Sequence, residues 1–193
     1  MGVASATALV AVGGIGRMLT GNVELLRPPG GQDAHLLDGG CIKCDRCRSV
    51  CPTGVIDVAH IEDGLIHART PKMDFKKGLC DFCGGEFKCA KNCPTQALAF
   101  DFDPTVDKIG MAVVEKSECL LYRSGLGMCS KQCIAACRFD ALSLDEHGRL
   151  VIDENLCNGC GACEHDCPSS SYASYTGSGK RGINIEVWEG NAS

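Results

Sequence analysis

Aromatic side chains are scarce in this 193-residue chain, which has one tryptophan, three tyrosines and six phenylalanines. Aromatic residues supply much of the buried apolar area of an ordinary globular core. A core made of side chains alone would therefore be small. The length favours one or two small domains, and such domains need some further means of tying their segments together.

Residue patterns typical of catalysis or of nucleic-acid binding are also missing. The glycine-rich run Gly13-Gly14-Ile15-Gly16 follows no predicted strand, so it is a poor candidate for a phosphate-binding loop. The formal net charge is −5 and no basic face is evident, which argues against a nucleic-acid partner. The five histidines show no metal-site spacing, and His165 is expected to face solvent. We therefore predict a non-catalytic protein.

Long hydrophobic runs are absent as well. The apolar stretch Val3–Ile15 is too short to span a bilayer but resembles the apolar part of an export signal. No basic residue precedes this stretch, and Arg17 follows it. We interpret it as a targeting remnant whose twin-arginine motif lay upstream in a longer precursor, and we expect poor export of the chain as written. The alternative is a short apolar helix that packs on a partner.

Cysteine, in contrast, is abundant. The sixteen cysteines form four groups of four with none left over, and groups one, two and four each end in Cys-Pro. Groups one and four follow C-x2-C-x2-C-x3-C-P, the bacterial ferredoxin run in which thiolates bind [4Fe–4S] clusters. In chain order the groups are Cys41, Cys44, Cys47 and Cys51; Cys80, Cys83, Cys89 and Cys93; Cys119, Cys129, Cys133 and Cys137; and Cys157, Cys160, Cys163 and Cys167.

These spacings suit iron–sulfur clusters better than the alternatives. Each iron of a cubane cluster needs one soft thiolate, and a C-x2-C-x2-C loop can supply three of the four. A disulfide framework would not require such repeated runs, and structural zinc prefers separated C-x2-C pairs, which only group two partly resembles. We predict four [4Fe–4S] clusters with all sixteen cysteines as iron ligands. Each fourth cysteine is expected to bind a cluster seeded by another group, namely Cys51, Cys93, Cys137 and Cys167.

Group three departs from the simple run. Its spacing is C-x9-C-x3-C-x3-C, and Arg138 stands where the other groups have proline. The apolar segment that follows, Ala141–Leu144, nevertheless keeps the same offset from Cys137 as its counterparts in groups one and two. We therefore assign group three a cluster and expect the insertion, Leu120–Met128, to form a surface loop.

Short apolar runs flank the cysteine groups and predict short strands. With the cysteine loops they indicate an α+β fold of tandem ferredoxin-like [4Fe–4S] modules with short hairpins, short helices and many loops. The predicted strands lie at Val55–Val58, Gly64–Ile66, Ala97–Phe100, Met111–Val114, Ala141–Leu144, Leu150–Ile152 and Ile183–Trp188.

The predicted organisation has three parts. Residues 1–30 form the leader and linker, residues 31–170 the four-cluster domain, and residues 171–193 a polar tail with a terminal strand. The modules could pair in sequence, group one with two and three with four, or in a nested way. We expect the nested scheme by analogy with four-cluster respiratory subunits.

The cysteine loops of groups one and four, which have the same spacing, differ in charge. Group one contains Lys43, Arg46 and Arg48 with Asp45 as its one acid, whereas group four contains Glu164 and Asp166. Positive charge favours addition of an electron, so the group-one cluster should be the easier to reduce. An oxidised cluster with four thiolates carries about −2, so four clusters would make the protein more acidic by about 8 charges.

Four short peptides, one that opens group one and three that lie outside the cysteine groups, carry a family resemblance. From about Leu26 to Gly190 the chain resembles the NapG/MauM type of ferredoxin subunit. The peptides are Arg27-Pro28-Pro29-Gly30, Cys41-Ile42-Lys43-Cys44, Ile109-Gly110-Met111-Ala112-Val113-Val114 and Trp188-Glu189-Gly190.

The resemblance implies a function and a location. Proteins of this type are exported by the twin-arginine route to the periplasmic side of the cytoplasmic membrane. There they take electrons from a membrane quinol dehydrogenase and pass them towards a reductase of anaerobic respiration, such as nitrate reductase. The alternative is an electron-transfer subunit of a molybdopterin oxidoreductase or hydrogenase complex, and the alternative location is the cytoplasm.

Overall fold

The computed structural model describes residues 24–99, 101–123, 129–169 and 180–188. The leader Val3–Ile15, most of the insertion in group three and most of the polar tail lie outside these residues. The described part contains short helices and short strands, in agreement with the predicted α+β class. The helices are α1 (Ala34–Gly40), α2 (Arg46–Ser49), α3 (Lys88–Lys91), α4 (Leu120–Arg123), α5 (Gln132–Ala136) and α6 (Ala162–His165). The strands are β1 (Ile56–Val58), β2 (Pro71–Met73), β3 (Met111–Val114), β4 (Leu142–Leu144), β5 (Leu150–Ile152) and β6 (Ile183–Glu186).

The strands form three separate antiparallel pairs. The hairpin β1–β2 lies between cysteine groups one and two, with Asp57 opposite Lys72. The hairpin β4–β5 lies between groups three and four, with Ser143 opposite Val151. The third pair joins β3, before group three, to β6, after group four. The chain is thus organised as two similar modules, residues 24–99 and residues 101–188.

Five of the seven predicted strands are present with bounds close to those expected, and they include the terminal strand after group four. The other two predictions are wrong. Residues 64–66 lie in a turn where Leu65 and Ile66 are exposed, and the strand that pairs with β1 comes later, at Pro71–Met73. Ala97–Ala99 forms no strand and instead makes one backbone hydrogen bond, from Ala99 N–H to the Gly30 carbonyl at 2.8 Å.

A buried arginine closes the first module where strand pairing is lacking. The Arg27 side chain is 6% exposed and donates hydrogen bonds to Thr70 Oγ1 at 2.7 Å and to the Pro71 carbonyl at 2.9 Å. It also contacts Asp38 at 3.3 Å, and Asp38 lies 2.9 Å from His67. Burial lowers the pKa of Arg27, and the Asp38 carboxylate opposes that effect. This cluster ties the segment before α1 to the β1–β2 hairpin.

The two modules share one apolar core. Phe82 of group two packs edge-on against Phe139 of group three, with ring centroids 6.0 Å apart. The Cys80 N–H donates to the Cys160 carbonyl at 2.8 Å, which links the second and fourth cysteine groups directly. Gly161 lies so close to Phe75 that a Cβ there would be 1.9 Å from the ring. The modules therefore meet along the loops that carry their cysteines.

Within the described residues, no helix has the length and apolar character needed to cross a membrane.

Candidate iron–sulfur cluster sites

The structure gathers the sixteen cysteines into four sites, which we call A, B, C and D. Sites A, B and C are partly open cavities, and each is lined by four cysteines. In site D the four thiols are near enough for their charges to interact. The sites comprise Cys41, Cys44, Cys47 and Cys93 (A); Cys51, Cys80, Cys83 and Cys89 (B); Cys137, Cys157, Cys160 and Cys163 (C); and Cys119, Cys129, Cys133 and Cys167 (D).

Each site takes three cysteines from one group and the fourth from another. Cys93 of group two lies in site A, and Cys51 of group one lies in site B. Cys137 and Cys167 are exchanged between groups three and four in the same way. The exchange agrees with the expected role of the fourth cysteines, but the nested pairing is wrong, because the groups pair in sequence. The physical reason is that each hairpin returns the chain at once to the preceding cysteine loop.

Left-handed backbone shapes the regular cysteine loops. In group one Lys43 and Asp45 have φ of 57° and 65°, and in group four the equivalent positions, Gly159 and Gly161, have φ of 74° and 79°. Alternating handedness curls a short loop around a centre, so that successive N–H groups turn inward and form a concavity suited to negative charge. Local loop geometry therefore fits an anionic cluster at sites A and C.

Burial dominates the electrostatics of the thiols. It raises the pKa of Cys47 and Cys133 to about 12 and that of Cys89 to about 11. The pKa values of Cys80 and Cys163 are also raised, chiefly by burial. Such thiols stay protonated at neutral pH without metal. Since metals bind the thiolate, loading of these sites must release protons and is coupled to folding.

Backbone donors work against burial at some of the thiols. Burial would raise the pKa of Cys93, but hydrogen bonds from the Leu98 N–H and from Thr95 outweigh it, so the pKa is lowered. The Lys43 N–H lies 3.4 Å from Cys41 Sγ and donates to it. Donors of this kind favour the thiolate and would share the charge of a thiolate-bound cluster.

The four sites follow one another in a row. Cys47 of site A is near enough to Cys89 of site B for their charges to interact. Cys80 of site B interacts in the same way with Cys160 of site C, across the backbone hydrogen bond between the modules. Cys163 of site C interacts with Cys133 of site D. The order A–B–C–D is therefore continuous through the molecule.

The donor atoms of the sites are thiols, the ligands that iron–sulfur clusters require. Four thiols surround each cavity of sites A to C, yet among the described residues no three His, Cys, Asp or Glu side chains converge as a single metal ion would require. The sixteen cysteines are candidate ligands of [4Fe–4S] clusters on the chemistry and spacing of these donor sets.

The cysteines of group three, which are widely spaced in sequence, are brought together by the tertiary structure. Its loop begins as helix α4, in which Leu120 is only 6% exposed, so the predicted surface loop is wrong for these first residues. Residues 124–128 of the insertion lie outside the described part of the chain. Despite the unusual spacing, Cys119, Cys129 and Cys133 come together with Cys167.

Sequence reasoning missed several polar residues that hold the sites in place. His165 does not point freely to solvent; it is half-buried, and its Nδ1 lies 3.3 Å from the Phe75 carbonyl of the other module. Arg181, 9% exposed, donates to the His165 carbonyl at 2.8 Å. Glu164 Oε2 accepts from the Ile185 N–H at 2.7 Å, and burial raises its pKa. No sequence signal marked these long-range contacts.

Comparisons with known proteins agree with this architecture. Residues 40–98 and residues 127–171 each match a family model described as a 4Fe-4S dicluster domain. These ranges contain groups one and two and most of groups three and four. The fold and its thiol sites define a ferredoxin-type iron–sulfur protein, a class that carries electrons.

Individual relatives narrow the class to a family. The chain is 32% identical over 161 residues to the methylamine utilization ferredoxin-type protein MauM of Methylophilus methylotrophus, covering 78% of this chain and 69% of the relative. It is 30% identical over 153 residues to the ferredoxin-type protein NapG of Escherichia coli K12, covering 74% of this chain and 65% of NapG. The ferredoxin-type protein NapF of the same organism is 28% identical over 154 residues, with 76% of this chain and 82% of NapF covered. The chain belongs to the NapG/MauM family of ferredoxin-type proteins, as the peptides flanking its cysteines predicted.

Proposed function

We propose that this chain holds four [4Fe–4S] clusters, at sites A to D, and relays electrons from a membrane quinol dehydrogenase to a periplasmic reductase such as nitrate reductase. The observation that carries the proposal is the unbroken row of four cysteine quartets. A row of this kind can pass electrons through the protein between partners at its two ends. Membership of the NapG/MauM family supports the class of function, and the name of MauM, methylamine utilization, indicates that the final redox reaction differs among relatives.

A [4Fe–4S] cluster supplies a one-electron carrier when bound. The residues of the chain hold the carriers, exclude water from them and set their spacing. Cys89, Cys119, Cys157, Cys163 and Cys167 are buried. The hydrogen bond from the Cys80 N–H to the Cys160 carbonyl keeps sites B and C adjacent. No bond-making chemistry is assigned to any side chain, so the proposed role is non-catalytic.

The proposed location is the periplasmic side of the cytoplasmic membrane, with attachment through the quinol-oxidising partner. The support is the apolar stretch Val3–Ile15 in the sequence, together with the family relationship. Fractionation of cells that express the natural gene would test this location. Recovery of cluster-loaded protein only in the cytoplasm would contradict it.

Metal analysis and quinol-driven reduction test the proposal. Protein reconstituted anaerobically should hold about sixteen iron atoms per chain and a matching amount of sulfide. Membranes from the source cells, supplied with quinol, should reduce the reconstituted protein, as followed by EPR. Iron near twelve, unchanged when Cys129 is replaced by alanine, would mean that site D holds no cluster. Full loading without reduction by quinol-supplied membranes would instead favour a partner of another class.

A further inference from the structure

Site A differs from the other three sites in the exposure of one of its cysteines. All sixteen cysteines lie in the described residues, and Cys44 is the one among them that is exposed. The neighbouring Ile42 is 62% exposed although it is large and apolar. Electron exchange between proteins falls steeply with distance, so an exposed ligand at the end of the row is the natural point of exchange with a partner.

The rim of site A is positively charged. The residues that line its cavity include Lys43, Arg46, Arg48 and Arg69, and the one acid among them is Asp45. Asp45 pairs with Arg48 at 3.5 Å. The whole chain has a formal net charge of −5, so this rim differs in sign from the average surface.

The positively charged residues come from separate parts of the chain, and two of them have a backbone conformation that non-glycine residues rarely adopt. Arg69 lies in the loop between β1 and β2, far in sequence from the cysteine loop, yet it lines the same cavity. Lys43 and Arg69 have φ of 57° and 67°, in the left-handed region that is unfavourable for most non-glycine residues. Group four has Gly159 at the position of Lys43. Side chains kept at such positions invite a functional explanation.

We propose that Ile42, Lys43, Arg46, Arg48 and Arg69 form a docking surface, the site A face, for an acidic patch on a redox protein. The inference rests on the proposed electron-relay function and adds to it the end of the row at which a partner binds and the sign of that partner's charge. Opposite charges steer the encounter and orient it, while an apolar centre gives contact once water is displaced. Short-lived electron-transfer complexes use small interfaces of this kind.

Electron transfer to two probe proteins of opposite charge tests the site A face. Reduced, iron-loaded protein is mixed in a stopped-flow instrument with oxidised flavodoxin, which is acidic, or with cytochrome c, which is basic. The second-order rate constant with flavodoxin should fall as ionic strength rises. In the variant R46E/R69E it should be about tenfold lower at low ionic strength and nearly independent of salt. The rate constant of this variant with cytochrome c should be equal to or higher than that of the wild type.

A matched control is the variant K116E/R138E, which makes the same change in charge on exposed residues of the second module. It should alter the flavodoxin rate less than about twofold. Driving force cannot produce the expected result. Negative charge beside site A disfavours its reduced state, which would make electron donation to flavodoxin faster and not slower. A redox titration of each variant records that shift separately.

Iron analysis of each variant separates failure of the docking surface from failure of the relay. If R46E/R69E loses iron, the single variant R69E, outside the cysteine loop, replaces it, with an expected rate decrease of about threefold. The proposal is overturned if a fully loaded variant reacts with flavodoxin as fast as the wild type, or if the control variant slows the reaction equally. It is also overturned if the wild-type rate increases with salt. Loss of iron from the wild-type sites would contradict the proposed function instead.

Discussion

Each of the two modules holds two cysteine quartets, but the modules differ in how the segments before and after their cysteine groups are joined. The second module pairs its outer segments as strands, β3 with β6, over four residue pairs from Met111–Glu186 to Val114–Ile183. Among its described residues the first module has one backbone hydrogen bond at the corresponding place, between Ala99 and Gly30, and relies on the buried Arg27 cluster. A side-chain cluster can thus replace a strand pair, but its stability then depends on one residue.

The cysteine loops of groups one and four differ in a parallel way. Their spacing and the handedness of their backbones are the same, but group one has charged residues where group four has glycine. In group four the glycines allow close packing, because a Cβ on Gly159 would be 2.4 Å from Gly110 and one on Gly161 would be 1.9 Å from Phe75. In group one the residues at those positions, Lys43 and Asp45, are only partly buried, so side chains can be accommodated there. Close packing therefore determines the residues of the group-four loop, whereas the group-one loop is distinguished by its charged residues.

The largest expected effect concerns the assembly of the clusters in the first module. In the variant C44A/C93A both replaced cysteines belong to site A, so iron should fall by about four atoms. In C44A/C51A the cysteines belong to sites A and B, so iron should fall by about eight. Anaerobic reconstitution and iron analysis measure both values. A loss of about eight atoms from C44A/C93A would restore the nested scheme.

Removal of the Arg27 side chain should destabilise the first module specifically. The variant R27A leaves Asp38 and Thr70 without their buried partner, at a cost of about 3 kcal/mol. Hydrogen exchange of the Met73 and Ala99 amides should accelerate, while exchange at Ala112 and Ile185 in β3–β6 should change little. The variant R69A, which removes an exposed arginine from the nearby loop, is the control. Equal acceleration in both modules would show that they unfold as one unit.

Equivalent positions in the two regular loops should respond with opposite signs. G161A introduces a Cβ against Phe75 at a positive φ and should lower the free energy of unfolding by about 2 kcal/mol. D45G relieves left-handed strain and should raise it by about 0.5 kcal/mol, since greater freedom of the unfolded chain offsets part of the gain. Denaturant titration of the loaded proteins measures both changes. Destabilisation by D45G would mean that Asp45 has a structural role.

The smallest expected effect is a pH-dependent change in Tm when Asp57, in the β1–β2 hairpin of the first module, is replaced. Burial would raise the pKa of Asp57, but its hydrogen bond with the Lys77 ammonium and the Val58 N–H outweigh burial, so the pKa is lowered below 3.8. A lowered folded-state pKa stabilises the protein above the unfolded pKa, and the contribution is lost as pH falls through the folded value. D57N should therefore lower Tm by a few degrees at pH 7.

That difference in Tm between D57N and the wild type should persist down to about pH 4.5 and shrink below it. Differential scanning calorimetry of the loaded proteins under argon measures it. The variant D74N is the control, because Asp74 lies 3.7 Å from the same lysine and is more exposed. A difference that grows on acidification would contradict the assigned ion pair.

Much of this protein could be predicted from the spacing of its cysteines. The C-x2-C-x2-C loops, the exchange of fourth cysteines and five short strands all depend on local sequence, because a cluster accepts few ligand spacings and a strand beside it is short. The wrong strand predictions lie where an apolar run favours a strand but neighbouring residues favour another structure. The apolar run Gly64–Ile66 looks like a strand, but Asp63 accepts a hydrogen bond from the His60 N–H and supports a tight turn there.

The sequence by itself determined the cofactor class, the four cysteine groups and the family, since these depend on residue types and on distances along the chain. Tertiary structure alone decided which quartets share a module, the order A–B–C–D and the contact between Cys80 and Cys160. It also brought Arg69 to the rim of site A and His165 to Phe75. These features depend on how hairpins return the chain and on close packing between loops, and packing between distant segments leaves no periodic trace in a sequence.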